Sequence, residues 1–341
     1  MSDSFIEDNP LIGESEALHV LLERVSQLAK LDKPILIIGE RGTGKELIAA
    51  RLHYLSERWS KEFVKLNCAA LTETLLETEL FGHEAGAFTG AVKRHIGRFE
   101  RAAEGTLFLD EIANTPARLQ EKILRVIEYG EFERVGSSRT QTSNARIIAA
   151  ANVDLPSLAG RGQFRHDLLD RISFDVLTLP PLRYRGEDIL ILAEHFAVRM
   201  IKDLKLGFFP GFTEEIKQQL LNYDWPGNVR ELKNVIERAV YRCAGQKIID
   251  RIQIDPFESP YRPGQTCQDR QADGASQNTG DPVEQTQLTA PFDLYKEVEK
   301  YEARLLSAAL VTNKHHQKKT AAFLGLTYNQ FRGLLKKHGQ P

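Results

Sequence analysis

The first chemically informative stretch of the chain is a glycine-rich segment that ends in a lysine. Residues 39–45 read Gly-Glu-Arg-Gly-Thr-Gly-Lys, the spacing GxxxxGK. Backbone N–H groups of such a loop and the N-terminus of the following helix bind polyphosphate, and the lysine adds a charge near the terminal phosphates. The next residue is Glu46 rather than the Ser or Thr that usually binds magnesium. The residues expected to bind a nucleotide are Gly39, Glu40, Arg41, Gly42, Thr43, Gly44, Lys45 and Glu46.

A pair of acids follows an apolar run further along the chain. Gly105-Thr-Leu-Phe-Leu leads into Asp110 and Glu111. One carboxylate can hold Mg²⁺, directly or through water, and the second can orient and polarise an attacking water. Two solvated acids at the end of a strand are the plainer alternative, which the upstream phosphate loop disfavours. We therefore expect Asp110 to be the magnesium ligand and Glu111 the residue that activates water.

Apolar strands alternating with helical stretches must position these groups. Such alternation predicts an α/β fold with a parallel sheet covered on both faces. The predicted strands are Pro34–Ile38, Phe63–Leu66, Thr106–Leu109 and Arg146–Ala150, and the predicted helices include Lys45–Ser56 and Arg118–Tyr129. From Glu187 to about Cys243 the pattern is helical throughout, which predicts a small helical lid after the α/β core.

Composition divides the chain into four parts. Residues 258–291 are rich in Gln, Asp, Pro, Gly, Ser and Thr and contain few large aliphatic side chains, so they predict a flexible linker. The expected domains are an α/β core over 1–180, a helical lid over 181–257 and an all-α domain over 292–341.

Charge and cysteine content narrow the functional classes. The three cysteines show no metal-ligand or disulfide spacing, and Met1–Pro10 is too polar for a signal peptide, so we expect a cytoplasmic protein. The net charge is −2. Leu294–Pro341 holds nine Lys or Arg against three acids, a net +6 that leaves −8 for the rest. A basic tail on an acidic body suggests contact with nucleic acid at one end.

The basic tail has the spacing of a helix-turn-helix. If Gln317 starts the first helix, Ala321 is the small residue that lets two helices approach and Gly325 allows the turn. Leu326, Phe331 and Leu334 then fall at buried positions, and Thr327 is a natural N-cap. A helical hairpin with a solvated basic face is the alternative. The residues expected to contact DNA are Thr327, Tyr328, Asn329, Gln330, Arg332, Lys336 and Lys337.

Residues 86–91 read Gly-Ala-Phe-Thr-Gly-Ala and lie between the two phosphate-handling motifs. Gly86 and Gly90 permit a tight turn with Phe88 and Thr89 at its tip; a glycine-rich turn with a buried Phe is the alternative. The hexapeptide resembles the one by which AAA+ activators engage sigma-54 RNA polymerase. Further motifs of that family match at Phe164–Arg171, Leu179–Arg183 and Trp225–Leu232, and the resemblance runs from about Leu11 to Pro256.

The resemblance implies an AAA+ P-loop NTPase fold with a helical lid, closed by a Fis-type DNA-binding domain, and roles for several residues. Arg165 and Arg171 would reach the γ-phosphate of ATP on a neighbouring subunit. Asn67 would pair with Glu111 and relay nucleotide state toward the hexapeptide. Asn152 would be the first sensor, although this chain has Ala151 where the family commonly has Thr, and Arg230 would be the sensor of the lid.

Three segments resemble the phage-shock activators within this family: Leu36–Ala49, Arg51–Trp59 and Leu326–His338. That likeness implies a PspA-type inhibitor acting in trans, because no sensory domain is expected before the AAA+ module. Trp59 follows a helix in a polar context and is either an exposed docking residue for that inhibitor or packed on the core.

The resemblance thus implies an ATPase that works as a hexamer on enhancer DNA and remodels the closed complex of sigma-54 RNA polymerase, with Gly86, Phe88, Thr89 and Gly90 as its contact. ATP and Mg²⁺ would be its nucleotide and metal. A DNA-binding regulator that uses ATP as an assembly ligand is the second hypothesis. A generic AAA+ chaperone or helicase loader would leave both the hexapeptide and the tail unexplained.

Overall fold

The computed structural model describes residues 11–243, 248–258, 294–312 and 316–338. Its contacts divide the chain into two compact units, Met1–Arg262 and Pro263–Pro341. Apart from Glu258, the predicted linker lies outside the described residues, as do Met1–Pro10. The domain boundaries drawn from composition stay predictions.

A five-stranded parallel sheet forms the centre of the first unit. The strands are β1 (Ile35–Ile38), β2 (Phe63–Asn67), β3 (Thr106–Asp110), β6 (Arg146–Ala151) and β7 (Asp175–Thr178), in the order β2-β3-β6-β1-β7. All four pairings are parallel, so the carboxyl ends of the strands meet at one edge. A short antiparallel pair, β4 (Glu131–Glu133) with β5 (Thr140–Thr142), stands apart from the sheet.

The helices of the core cover both faces of this sheet. They are α1 (Glu16–Ala29), α2 (Lys45–Tyr54), α3 (Glu73–Phe81), α4 (Arg98–Arg101), α5 (Ala117–Tyr129), α6 (Leu155–Gly160) and α7 (His166–Ile172). Every residue of β6 is buried, and successive residues alternate between the two hydrophobic clusters, Ile147 packing in one and Ile148 in the other. The predicted doubly covered parallel sheet is confirmed.

Among the described residues, the lid has three helices around a separate cluster that includes Trp225. Trp225 is fully buried and donates from its indole N–H to the Leu220 carbonyl oxygen at 2.8 Å. These helices are α8 (Gly186–Asp203), α9 (Glu214–Asn222) and α10 (Asn228–Arg242), and a short 3₁₀ turn at Leu182–Tyr184 leads into them. The predicted helical lid is confirmed.

The second unit contains α11 (Leu294–Thr312), α12 (Gln317–Phe323) and α13 (Tyr328–Lys337). Its small core contains Leu306, Leu310, Ala321, Phe331 and Leu335. Leu326 and Leu334, which we expected to be buried, are only half-buried. Leu335 is buried instead, because it lies one helical turn after the buried Phe331.

Several predicted boundaries shift by one or two residues. The strands β2 and β3 extend to Asn67 and Asp110, because the ladder continues with Asn67 opposite Asp110. Helix α2 ends at Tyr54 rather than Ser56. The β7 strand and the β4–β5 pair were not expected, since their charged and polar residues give no apolar run. Within the described residues, no helix is long and apolar enough to cross a membrane.

A buried ion pair ties the segment before α1 to the start of the lid. Asp188 is fully buried and accepts hydrogen bonds from the Ser15 N–H and hydroxyl, the Glu14 N–H and the Arg185 Nε, at 2.6–2.9 Å. Burial alone would raise the pKa of Asp188, but the bonds from Ser15 and Arg185 lower it below its usual range. The carboxylate is therefore the shared acceptor of two segments far apart in sequence.

Replacing Asp188 with Ala should destabilise the folded first unit by about 3 kcal/mol, because it leaves the buried Arg185 guanidinium without a counter-charge. Urea unfolding of the full chain, followed by helical circular dichroism, measures the change in its first transition. The matched control is Glu214→Ala, which removes an exposed ion pair to Lys217 and should leave that transition nearly unchanged. A loss below about 1 kcal/mol in Asp188→Ala would contradict the assignment.

Candidate nucleotide site and interaction surfaces

The phosphate loop connects β1 to α2 and has the predicted backbone. Gly42 and Gly44 have φ of +78° and +99°, values that glycine adopts without strain, and Gly44 is the residue before the first turn of α2. The Lys45 ammonium donates to the carbonyl oxygens of Gly39 and Glu40 at 2.9 and 3.1 Å. Burial lowers the pKa of Lys45 from its usual value, with Asp110 and Glu111 opposing the shift. The loop therefore presents a helix N-terminus and a cation to one space.

The acidic pair lies at the carboxyl end of β3. Burial raises the pKa of Asp110, while the Glu111 N–H bonded to its carboxylate and the nearby Lys45 oppose the shift. Glu111 itself has φ of +52° and ψ of +44°, a left-handed conformation that is uncommon outside glycine. Strained backbone of this kind concentrates at functional sites. The turn separates the two carboxylates, and only Asp110 lines the cavity described below.

Glu111 and Asn67 follow neighbouring strands. The Glu111 carboxylate lies 3.3 Å from the Asn114 Nδ2 and 3.8 Å from the Arg41 Nε. Asn67 pairs in register with Asp110, and its side-chain oxygen accepts from the Ala69 N–H at 2.9 Å. Among the described residues, no hydrogen bond joins Asn67 to Glu111, so the expected pairing of the two stays a prediction.

The acidic groups fit a magnesium ion that is shared with a nucleotide. Mg²⁺ commonly takes one or two carboxylates and completes its shell with phosphate oxygens and water, and Asp110 is a half-buried carboxylate near Lys45. Glu46, in the position of the usual hydroxyl, instead bonds the Lys65 ammonium at 2.9 Å. Within the part of the chain that the structure describes, no cluster of three or more His, Cys, Asp or Glu could hold a metal alone.

The lid packs directly against the phosphate loop. A Cβ on Gly42 would lie 2.2 Å from the Gly227 carbonyl oxygen and 3.1 Å from the Arg230 Cβ, so the loop admits no side chain there. Asn228, fully buried with φ of +53°, donates from its Nδ2 to the Arg41 carbonyl oxygen at 3.0 Å. Arg230 therefore reaches the loop from the first turn of α10.

A cavity of about 410 Å³ lies between the loop and the lid. This volume suits a small-molecule ligand. Residues of four segments line it: Leu11 and Ile12 before α1, Gly42–Leu47, Leu192, His195 and Phe196 of α8, and Val229 and Arg230 of α10, with Asp110 at one side. The apolar side chains suit the base of a nucleotide at one end of the cavity, and the phosphate loop suits its phosphates at the other end. The lining residues before α1 and on α8 could not be predicted from the sequence, because no motif marks them.

The two arginines expected to act between subunits lie away from this cavity. Arg165, at the start of α7, makes a two-bond ion pair with Asp167, and the Arg171 Nε donates to the Glu128 carboxylate at 2.8 Å. Their side chains are 40% and 59% exposed. Within the described residues, neither lines the nucleotide cavity of its own chain. Asn152 directly follows β6, beside Gly39, whose N–H bonds the Ala151 carbonyl oxygen.

The hexapeptide forms a closed, exposed loop. The Gly86 N–H bonds the Ala91 carbonyl oxygen at 2.8 Å, and Gly86 and Gly90 both have positive φ. Phe88 is 41% exposed, with its ring 5.0 Å from that of His83, and Thr89 is exposed. The expected turn is confirmed, and the alternative of a buried Phe is excluded.

The base of this loop is anchored by charge. Arg134, 5% exposed, bonds the carboxylates of Glu84 and Glu100 at 2.6 and 2.8 Å. The base of the loop is therefore held by ion pairs, and Phe88 and Thr89 at its tip are exposed. On another surface, Trp59 is 64% exposed, which excludes the alternative of a Trp packed on the core.

In the second unit, the predicted helix-turn-helix is present, but its polar residues are not equally free. Thr327 caps α13 in a reciprocal arrangement with Gln330, and the Tyr328 hydroxyl bonds Gln317 at 3.3 Å. Lys337 pairs with Glu302 and Glu299 at 3.3 and 3.5 Å. Asn329, Arg332 and Lys336 are exposed and, among the described residues, form no ion pair or side-chain hydrogen bond. The spacing Thr327-x-x-Gln330 is the signature of a capping box and could have indicated the role of Gln330. The pairing of Lys337 with Glu299 and Glu302 has no such signal.

A parallel sheet with a phosphate loop after β1, an acidic pair at the end of β3 with β6 between these two strands, and a packed helical lid defines an AAA+ ATPase module. Three families match the chain: the Sigma-54 interaction domain over residues 11–178, the AAA+ ATPase lid domain over 183–272 and the Fis family of bacterial regulatory proteins over 297–338. The chain belongs to the AAA+ sigma-54-dependent transcriptional activators, and its tail is a DNA-binding domain of the Fis type.

Within this family, the chain is similar to the Psp operon transcriptional activator of Escherichia coli (strain K12), with 57% identity over 333 residues, 97% of this chain and 98% of that protein. It is 52% identical over 238 residues to the activator HyfR of the same organism, of which it spans 35%. NtrX from Brucella abortus in complex with ATP has a similar structure, with a TM-score of 0.67, 30% identity and coverage of 97% of this chain and 69% of NtrX.

Proposed function

We propose that the chain hydrolyses ATP within a hexamer bound to enhancer DNA and uses that work to remodel the closed complex of sigma-54 RNA polymerase, so that phage-shock promoters open. The observation that carries this proposal is the exposed loop of Phe88 and Thr89, which is connected through α3 to the strand end beside the acidic pair. Similarity to the Psp operon activator supports the choice of genes.

ATP would occupy the cavity with its phosphates on the loop. Lys45, now bonded to two carbonyl oxygens of the loop, would exchange them for phosphate oxygens, which are stronger acceptors. Asp110 would hold the magnesium ion, whose charge offsets that of the phosphates. Glu111, fixed by its left-handed turn, would orient the attacking water and take its proton.

Hydrolysis would require a second copy of the chain. Arg165 and Arg171 are exposed and away from their own cavity, so they support a role at the site of a neighbour. A guanidinium supplied by another subunit stabilises charge on the phosphoryl oxygens and makes hydrolysis depend on assembly. To act in this way, each arginine would give up the acid that now pairs with it.

Nucleotide state would reach the loop through β2 and α3. The Cys68 N–H bonds the Asp110 carbonyl oxygen at 2.9 Å, so the chain after Asn67 is tied to the acidic strand. Helix α3 begins at Glu73 and ends at Phe81, just before the loop. A change of partner by Glu111, between Asn67 and the water, would displace this path and move Phe88 and Thr89.

The remaining partners follow from the other surfaces. The basic helix α13 would hold the oligomer on enhancer DNA. A protein whose partners are polymerase and DNA would act in the cytoplasm. Trp59 would be the docking residue for a PspA-type inhibitor, a role that its exposure supports. Loss of inhibition by such a protein in Trp59→Ala is the outcome this assignment requires.

Replacing Thr89 with Ala should abolish at least nine-tenths of open-complex formation with sigma-54 polymerase while ATP turnover stays within about twofold of wild type, because the contact is lost and the site is intact. Promoter opening and phosphate release are measured in parallel. The matched control is Val92→Ala, which truncates a neighbouring side chain that is 83% exposed and should retain both activities. Equal promoter opening by Thr89→Ala and wild type would favour the hypothesis of a DNA-binding regulator that uses ATP only as an assembly ligand.

Replacing Arg332 with Ala should weaken binding to the upstream DNA of a phage-shock promoter by about tenfold or more, because Arg332 is exposed and free to reach base edges or phosphates. Fluorescence anisotropy at fixed salt measures this affinity. Lys337→Ala is the comparison: its ammonium already pairs with Glu302 and Glu299, so a smaller loss is expected. The reverse order of effects would contradict the proposed DNA-contacting face.

A further inference from the structure

The side chain of Glu40, the second residue of the phosphate loop, points to the lid. The Arg183 guanidinium bonds both of its carboxylate oxygens, at 2.6 and 3.0 Å. The Asn228 Nδ2 donates to one of them at 3.1 Å. Two-bond guanidinium–carboxylate pairs are the most directional of ion pairs. Glu40 therefore contacts the 3₁₀ turn before the lid and the first residue of α10 at once.

Asn228 gives this contact a fixed geometry. It is fully buried, its Nδ2 also donates to the Arg41 carbonyl oxygen, and its Oδ1 accepts the Leu182 N–H at 2.8 Å. Its positive φ is compatible with that position because these bonds hold it in place. The side chain thus joins the loop, the 3₁₀ turn and α10 in one network.

The backbone of Glu40 is bonded to the groups that handle phosphate. Its carbonyl oxygen accepts from the Thr43 hydroxyl at 2.8 Å and the Lys45 ammonium at 3.1 Å. One residue therefore contacts the phosphate-binding lysine through its main chain and the lid through its side chain. The bonds from Arg183 and Asn228 hold the pKa of Glu40 at about 2, so its carboxylate is charged at any physiological pH.

We propose that Glu40 is a positioning residue that couples the phosphate loop to the lid and thereby sets the place of Arg230 over the bound nucleotide. This inference rests on the proposed nucleotide site. Arg230 lies two residues after Asn228, and at Gly42 the loop is so close to the Gly227 carbonyl oxygen that no side chain fits there. The geometry of the loop and the position of the lid then change together. Loss of the Glu40 charge weakens nucleotide binding but leaves Lys45, Asp110 and Glu111 in the chain.

If the pair of Glu40 and Arg183 only stabilised the fold, its loss would change the unfolding temperature and not the affinity for nucleotide. The side chains of Arg183 and Glu40 are 35% and 40% exposed, so their pair adds little to the stability of the fold. A coupling role acts on nucleotide affinity. It makes the effects of substituting Glu40 and Arg183 non-additive, because each substitution removes the same ion pair.

The test is equilibrium binding of ADP to the full chain by isothermal titration calorimetry, with the KM and kcat for ATP measured alongside. Glu40→Gln and Arg183→Gln should each weaken ADP binding by about three- to tenfold and raise the KM similarly. The kcat and the unfolding temperature should change little. The double variant Glu40→Gln/Arg183→Gln should be no weaker than either single one.

The matched control is Glu104→Gln, which removes an exposed ion pair to Lys61 on the core and should bind ADP as wild type does. Unchanged ADP affinity in Glu40→Gln, or losses that multiply in the double variant, would overturn the coupling. Absence of ADP binding by wild type would overturn it together with the nucleotide site. If ADP binds in the expected pattern and ATP is not hydrolysed, the proposed function fails and the role of Glu40 stands.

Discussion

The direct packing of the lid against the phosphate loop is the constraint on which the rest of the site depends. At Gly42 the loop touches the Gly227 carbonyl so closely that even a methyl group is excluded. Beside it, the Asn228 side chain makes two hydrogen bonds to Glu40 and Arg41 of the loop and one to Leu182 of the turn that precedes the lid. Because protein interiors are densely packed, such a contact moves as a unit. The cavity for the nucleotide and the position of Arg230 are both consequences of it.

The two arginines proposed to complete the nucleotide site lie outside the cavity of their own chain. The acidic pair, the lysine and the lid converge on the cavity, whereas Arg165 and Arg171 lie on an exposed surface and pair with acids of their own chain. The hexapeptide loop has its base held by the ion pairs of Arg134, and Phe88 at its tip is 41% exposed. Under the proposed function, a site completed by a neighbouring subunit and an exposed contact loop suit an assembly that acts on a large partner.

Much of this architecture could be predicted from the sequence because its signals are local. The loop glycines, the apolar strands before Gly39 and Asp110, and the Thr327 cap each follow from residues close in the chain. What could not be predicted depends on distant partners or backbone strain. Asp188 meets Ser15 across 173 residues, Glu111 turns left-handed against its own preference, and Glu40 faces the lid because of Arg183 and Asn228. No periodicity or spacing encodes such contacts.

Complementation between two inactive variants tests most directly whether hydrolysis occurs between subunits. Glu111→Gln should lack the residue that orients water, and Arg171→Ala should lack the charge offered to a neighbour, so each alone should have little ATPase activity. In an equal mixture, a chain with intact Glu111 can sit beside one with intact Arg171, and up to about a quarter of wild-type turnover should return. Activity no greater than the average of the two separate variants would contradict a site shared between copies.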